Sequence, residues 1–320
     1  MERYLSKAET QVYVISTRVP DLPSSIHLRC RICYNATHRH QSPLFALLLY
    51  KGRYTMKVLF IGDIVGSVGR EAVRQVLPAL RDKYNPHIII ANGENAAAGR
   101  GITRPIANDF FNWGIHGITM GNHTWDNKNI FEWIDDEPRI VRPANFSEVA
   151  PGRGMAIINV HGKKLAIINI QGRTFLPPID CPFRTAEALI EEAKQITPHI
   201  LVDFHAEVTS EKIAMGWYLD GQASIVVGTH THVQTNDDTI LPQGTAYLTD
   251  VGMVGSKEGV LGMEKEAVLH RFLTQMPTRF VVDEGKWHLH GIIAELDDQT
   301  GRATKIEKIR LTEESWLLMQ

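Results

Sequence analysis

From Lys57 onward the chain alternates short aliphatic runs with amphipathic stretches, and the runs repeatedly stop at a residue able to bind a metal. Lys57-Val58-Leu59-Phe60-Ile61, His87-Ile88-Ile89-Ile90-Ala91, Gly117-Ile118-Thr119-Met120, Ile200-Leu201-Val202 and Ser224-Ile225-Val226-Val227 read as buried strands. Between the first two, Arg70 to Lys83 places Val73, Val76, Leu77 and Leu80 on one helical face, and Arg184 to Gln195 and Ser210 to Leu219 read as later helices. Such alternation is the signature of an α/β fold. Thr103-Arg104-Pro105 predicts a helix start, with threonine as cap and proline in the first turn, and a short helix follows near Asn127 to Ile134. Met155 to Val160 and Lys164 to Ile170, joined by His161-Gly162, predict an antiparallel pair, so the sheets are not purely parallel. Further strands are expected at Ala246 to Thr249, Phe280 to Val282, Gly291 to Leu296 and Lys305 to Leu311. With no internal repeat and no break in composition, residues 56–320 are expected to form a single domain.

Residues 1–55 differ from the rest. They mix Arg, His, Ser, Tyr and Pro without helix or strand period, and Glu2, Glu9 and Asp21 interrupt any targeting peptide. Cys30-Arg31-Ile32-Cys33 with His38 and His40 spaces its histidines too tightly for a zinc finger. The segment reads as a poorly ordered extension, and Met56 as a natural start.

The ends of the strands carry the chemistry. They fall at Asp63, Glu94-Asn95, Asn122-His123, His205 and His230/His232. Taken singly, each has a structural reading: a helix cap for Asp63 or Asn122, a solvated loop acid for Glu94, a packed imidazole for His205. Ligands of open α/β sheets bind beyond the carboxyl ends of the strands, however, and repeated delivery of oxygen and nitrogen donors to that edge points to one metal centre. Alternation at a strand end would aim both His230 and His232 to one side. Asn122 reads as a ligand, and His123 as a proton donor beside the metal. Two carboxylates, two amides and three histidines, with no thiolate, suit Fe, Mn or Zn better than Mg or Ca. Seven donors exceed one coordination shell and a carboxylate can bridge, which implies two ions. Gly66-Ser67-Val68-Gly69 lacks the three-glycine spacing of a dinucleotide loop.

Composition narrows the partners. A formal net charge of −2 argues against general nucleic-acid or anionic-membrane binding, while leaving room for a local basic pocket. No apolar run has the ~18 residues of a membrane span. Three scattered cysteines, Cys30, Cys33 and Cys181, do not form a disulfide framework and point to a reducing, cytoplasmic setting. Assembly as a homo-oligomer stays open.

In order and spacing, Gly62-Asp63-Ile64-Val65-Gly66, Asn92-Gly93-Glu94-Asn95, Gly121-Asn122-His123, Asp203-Phe204-His205-Ala206-Glu207, Gly228-Thr229-His230-Thr231-His232 and Thr249-Asp250-Val251-Gly252-Met253 resemble the calcineurin-like metallophosphoesterases. From Met56 to about Leu311 the chain resembles more closely the YmdB-like family of bacterial cyclic-nucleotide phosphodiesterases. Val65 stands where the broad superfamily has the histidine of Asp-x-His, and Glu94 with Asn95 replaces its bridging aspartate, as in the YmdB-like group. The resemblance implies an αββα sandwich of two mixed sheets flanked by helices, and two metal ions, iron with manganese as a substitute. It implies Asp63, Glu94, Asn95 and His232 on one ion, and Glu94, Asn122, His205 and His230 on the other, with Glu94 bridging and His123 as general acid. The expected reaction is in-line attack of a metal-bridging hydroxide on a 2',3'-cyclic nucleotide, or a 3',5'-cyclic one, with His123 protonating the departing ribose oxygen. A regulatory nucleotide-binding protein, a phosphomonoesterase and a nuclease are alternatives on the same scaffold. A metal amidohydrolase also uses His-x-His, but its barrel accommodates the antiparallel pair badly. Arg100 and Lys257 read as solvated charges near the loops that would set substrate choice.

Overall fold

The computed structural model describes residues 55–319. Apart from Thr55, the N-terminal extension and its Cys30/Cys33 pair lie outside the described residues.

Two mixed sheets form the frame. In the first, β1 (Thr55–Ile61), β3 (Ile88–Asn92), β4 (Gly117–Thr119) and β5 (Ile140–Val141) run parallel. On the other side of β1 the long antiparallel β13 (Trp287–Asp297) pairs with β14 (Ala303–Thr312) and with β12 (Met253–Ser256), which carries the two-residue β2 (Asp63–Ile64). In the second, β7 (Lys163–Gln171), β8 (Ile200–His205), β9 (Ile225–Thr229) and β11 (Ala246–Leu248) are parallel, edged by antiparallel β6 (Met155–Val160) and β10 (Thr239–Ile240). The β6–β7 hairpin is the expected one, closed by His161 and Gly162 at φ 47° and 84°.

Side-chain parity on the strands builds the layers. Val58 and Phe60 of β1 join Leu165 and Ile167 of β7, Leu201 of β8 and Val227 of β9 in the core between the sheets. Their neighbours Leu59 and Ile61 face α1 (Gly66–Tyr84) and α2 (Arg104–Trp113), where Val73, Val76, Leu77 and Phe110 pack. On the far side, Ala166, Ile168, Val202 and Phe204 meet Ala186 and Ile190 of α3 (Pro182–Lys194) and Met215 of α4 (Thr209–Tyr218). The result is the expected four-layer αββα sandwich. Strands covered on both faces must be apolar along their whole length, which is why these runs do not alternate with polar residues.

Local details differ from the sequence reading. Helix α1 begins at Gly66, because a glycine at φ 60° lets the chain turn directly out of β2, and its first turn is capped by neither Asp63 nor any other side chain. Thr103 caps α2 as expected, accepting from the Ile106 N–H at 3.5 Å. Asn127 to Ile134 is split into two 3₁₀ turns. Phe280 to Val282 is not a strand; Val282 makes a single bridge to Met263. A further helix, α5 (Lys265–Thr274), precedes it. No helix among the described residues is long and apolar enough to cross a membrane.

Candidate metal centre

The carboxyl ends of both sheets supply the donors. Asp63 belongs to β2, Glu94 and Asn95 follow β3, and Asn122 and His123 lie just beyond β4, all on the first sheet. His205 is the last residue of β8, and His230 and His232 follow β9, on the second. Gly121 allows the two sets to meet: a Cβ there would stand 2.4 Å from both Glu94 Oε2 and His205 Nε2.

His205 Nε2 is the hub. It lies 3.1 Å from Glu94 Oε1, 2.8 Å from Asn122 Oδ1 and 3.0 Å from His230 Nδ1. Glu94, His205 and His230 form the one group of three or more histidine, cysteine or acidic side chains, among the described residues, whose ligand atoms lie within 4.8 Å of one another. Asn95 Nδ2 donates to Glu94 Oε1 at 3.2 Å and lies 3.2 Å from His232 Nε2, linking that trio to a second group. Asp63 accepts from the His230 backbone N–H at 3.0 Å through Oδ2, while its buried Oδ1 has no partner. All seven predicted donors are thus drawn to one edge.

His230 and His232 do not get there by strand alternation. The strand stops at Thr229, and both histidines have positive φ, 93° and 62°, in the left-handed region that non-glycine residues seldom occupy. The loop, and not the pleat, aims them.

The outward nitrogens explain how the inward ones are presented. His205 Nδ1 donates to Thr229 Oγ1 at 2.9 Å, because the Thr229 hydroxyl is itself committed to Asp203 Oδ1 at 2.6 Å. His230 Nε2 donates to Glu207 Oε2 at 2.9 Å, and His232 Nδ1 to the Leu261 carbonyl at 3.1 Å. Each acceptor fixes which ring nitrogen points outward and so turns the other one inward. Asp203 sits two residues before His205 on β8, a same-face spacing that the sequence offered as a signal; Thr229 and Glu207 stand inside recognised motifs, yet their contacts arise only across strands.

Electrostatics point the same way. Burial would raise Glu94, but the neighbouring His205, aided by His123, overrides it and holds the carboxyl at about 2. Burial would lower His205, but Glu94, Asp63 and Asp203 hold it up at about 9. Burial pushes Asp63 well above the usual carboxylate range, and burial plus His205 push His230 down to about 3. The cluster therefore relies on a single proton on His205 to reconcile the lone pairs of Glu94, Asn122 and His230. A cation can serve all of them at once, and it would also satisfy the orphaned Asp63 oxygen. The donor set fits metal ions.

His123 is held differently. Its backbone N–H donates to Glu94 Oε2 at 2.9 Å, but its ring turns away to Asp126 Oδ2, 2.9 Å from Nδ1, and Arg100 reaches the same carboxylate at 3.6 Å. Asp126 lies three residues beyond the Gly121-Asn122-His123 motif and was assigned no role in the sequence. His123 and Arg100, with Glu94, Asn95, His230 and His232 of the donors, line a cleft of about 1110 Å³ whose further wall includes Arg271, Phe272, Arg279 and Phe280. That wall went unrecognised in the sequence. Lys257 pairs with Glu314 at 2.7 Å and does not line this cleft.

Comparison with known proteins agrees with this geometry. The YmdB-like protein family matches residues 59–309. The chain is 57% identical over 259 residues to the 2',3'-cyclic-nucleotide 2'-phosphodiesterase of Bacillus subtilis, covering 81% of this chain and 98% of that protein. A solved structure of a hypothetical protein from Thermus thermophilus superposes with a TM-score of 0.76 at 42% identity, covering 81% of this chain and all of that one (100%). A phosphatase from Mycoplasma pneumoniae superposes with a TM-score of 0.77 at 33% identity, covering 84% and 98%. Fold, donor order and sequence agree, and the chain belongs to the YmdB-like family.

Proposed function

We propose that the protein is a metal-dependent phosphodiesterase that opens cyclic nucleotides, 2',3'-cyclic ones first and 3',5'-cyclic ones as a further substrate. Asp63, Glu94, Asn95 and His232 would hold one ion, and Glu94, Asn122, His205 and His230 a second, with iron as the resident metal and manganese as its substitute. Bound ions at such a site neutralise phosphate charge and make hydroxide available at neutral pH. The reading of the substrate rests on the 57% identity to the Bacillus subtilis enzyme.

The observation that carries the mechanism is the placement of His123. It touches Glu94 through its backbone only, so its imidazole is not consumed as a ligand, and the ring lines the cleft. With Nδ1 tied to Asp126, Nε2 is the ring nitrogen left to deliver a proton. That proton would go to the ribose oxygen leaving phosphorus. Arg100, Arg271 and Arg279 make the cleft attractive to a phosphate, and Phe272 and Phe280 offer faces for a nucleobase.

The test is the purified His123→Ala protein on a panel of cyclic nucleotides. Metal content should match wild type by elemental analysis, while turnover drops on the order of 10²–10⁴-fold. Full activity would refute the acid role, and nucleotide binding without hydrolysis by wild type would favour a regulator. The likeness to the Mycoplasma pneumoniae phosphatase supports a second reading, phosphomonoester hydrolysis, which the same panel separates by including nucleoside monophosphates. Residues 56–320 would suffice as one catalytic domain, so a chain starting at Met56 should retain the rate.

A further inference from the structure

Helix α4 buries Lys212, Met215 and Gly216, at the spacing of one helical face. A lysine is out of place there, and its side chain is only 1% exposed. Gly228 of β9 makes room for the stem, since a Cβ at that position would stand 2.9 Å from Lys212 Cδ. The ammonium meets the equally buried carboxylate of Asp250 at 2.6 Å. Such a pair adds little to stability, because stripping water from two ions offsets most of their attraction, and packed apolar residues often serve a fold as well. Its use lies in what the carboxylate holds.

Both oxygens of Asp250 are committed. Oδ1 accepts from the Gly252 N–H at 2.7 Å. Besides Lys212, Oδ2 accepts from the Thr231 hydroxyl at 2.6 Å and from the Thr231 N–H at 3.2 Å. Lys212 Nζ also reaches Thr231 Oγ1, at 3.3 Å. Asp250 is itself fixed by Thr235, whose hydroxyl accepts the Asp250 N–H at 2.9 Å and whose N–H donates to the Asp250 carbonyl at 3.0 Å. With donors at both oxygens, the NH2 of an asparagine would confront an N–H or an ammonium whichever way it turned. The position requires a carboxylate, and its burial requires a cation beside it.

Thr231 stands between His230 and His232, the two residues with left-handed φ of 93° and 62°. Backbone of that kind persists only where its surroundings over-determine it. The rings have partners of their own, Glu207 for His230 and Leu261 for His232, and the His230 N–H goes to Asp63. Between them, among the described residues, every hydrogen bond of Thr231 runs to Asp250 or Lys212.

We propose that Lys212 and Asp250 are positioning residues of the metal centre: the buried pair clamps Thr231 and thereby keeps the His230 and His232 imidazoles turned toward the other donors. A pair that only fastened α4 to the neighbouring strands would leave Thr231 free. This role presupposes the metal centre proposed above, with His230 on one ion and His232 on the other.

Thr231→Val takes the hydroxyl out of the clamp and leaves the Lys212–Asp250 pair in place. The full metal-loaded chain is challenged with rising chelator, and retained metal is read by elemental analysis. Thr231→Val should release metal at least roughly tenfold more readily than wild type, whereas Thr231→Ser, which keeps the hydroxyl, should match wild type. Urea midpoints in excess chelator should be alike for the two variants, and a midpoint lowered only in Thr231→Val would assign the hydroxyl to the fold and overturn the proposal. Lys212→Met should weaken retention too, and the double variant should lose no more than the worse single one, because both act through one clamp. Additive losses would count against it. Wild-type retention in Thr231→Val, or equal loss in Thr231→Ser, would overturn it even if Lys212→Met does not fold. Wild type that holds no metal would instead sink the metal centre itself, and this role with it.

Discussion

Two histidine clusters sit on either side of His232 and could hardly differ more. At the metal centre His205 is surrounded by Glu94, Asp63 and Asp203, and its proton is held to about pH 9. On β13, His288 and His290 see only cations and lose theirs near pH 4 and 3. Both are buried histidine clusters of one molecule. What separates them is the sign of the neighbouring charge: acids hold a proton on a buried ring, and bases add to burial in driving it off.

The sharpest way to break this contrast is to remove the acid that defines the first cluster. Glu94→Gln keeps the shape but deletes the charge shared by both donor groups. Elemental analysis should show metal occupancy collapsing, and turnover should fall by more than the 10–100-fold typical of an outer-sphere change. Retained occupancy would mean that Glu94 is not the bridge.

Thr229→Val probes the support one layer out. It cuts the Asp203–Thr229–His205 chain, leaving Asp203 Oδ1 buried without its hydroxyl and His205 free to adopt the other tautomer. A loss of about 10–100-fold in metal affinity is expected, with about 1–3 kcal/mol of stability. Metal titration and urea unfolding of the same sample would expose both effects, and an unchanged metal affinity would remove this chain from the account.

The smallest effect belongs to the second cluster and is read in pH. His288 and His290 have folded pKa values below the unfolded value of about 6.5. Between those limits the unfolded chain binds more protons, so their contribution to stability is complete above pH ~6.5 and is lost as pH falls toward 4 and 3. Urea midpoints measured from pH 7.5 down to 4 should fall less steeply in a His288→Gln/His290→Gln protein than in wild type. Parallel curves would show that the two rings are not the neutral, buried groups described above.

Much of this was legible before any coordinates. Apolar runs that stop at Glu94, Asn122 and His205 disclose both the parallel strands and the edge where ligands gather, because covered strands leave polar residues nowhere to go but their ends. The presentation of those donors was not legible. His230 and His232 owe their direction to a left-handed turn, and the tautomers depend on acceptors from other strands, such as Thr229 for His205 and Leu261 for His232. The far wall of the cleft was missed for a different reason. Helix α5 buries little besides Val268 and exposes Leu269, Phe272 and Leu273, so it lacks the stripe by which a packed helix announces itself. Phe280 to Val282, by contrast, has strand composition without a neighbouring edge to join.

The meeting of Glu94 and His205 also bears on how the molecule comes apart. Each sheet has helices on its outer face and could in principle fray as a separate half. Yet the contact at 3.1 Å stitches the mouth of one sheet to the mouth of the other, at the edge where loops diverge. Pulling the halves apart from that edge means exposing a buried carboxylate and an imidazolium together before any apolar surface parts. The polar end of the sandwich thereby behaves as its hem, and loosening is directed to the opposite end of the strands.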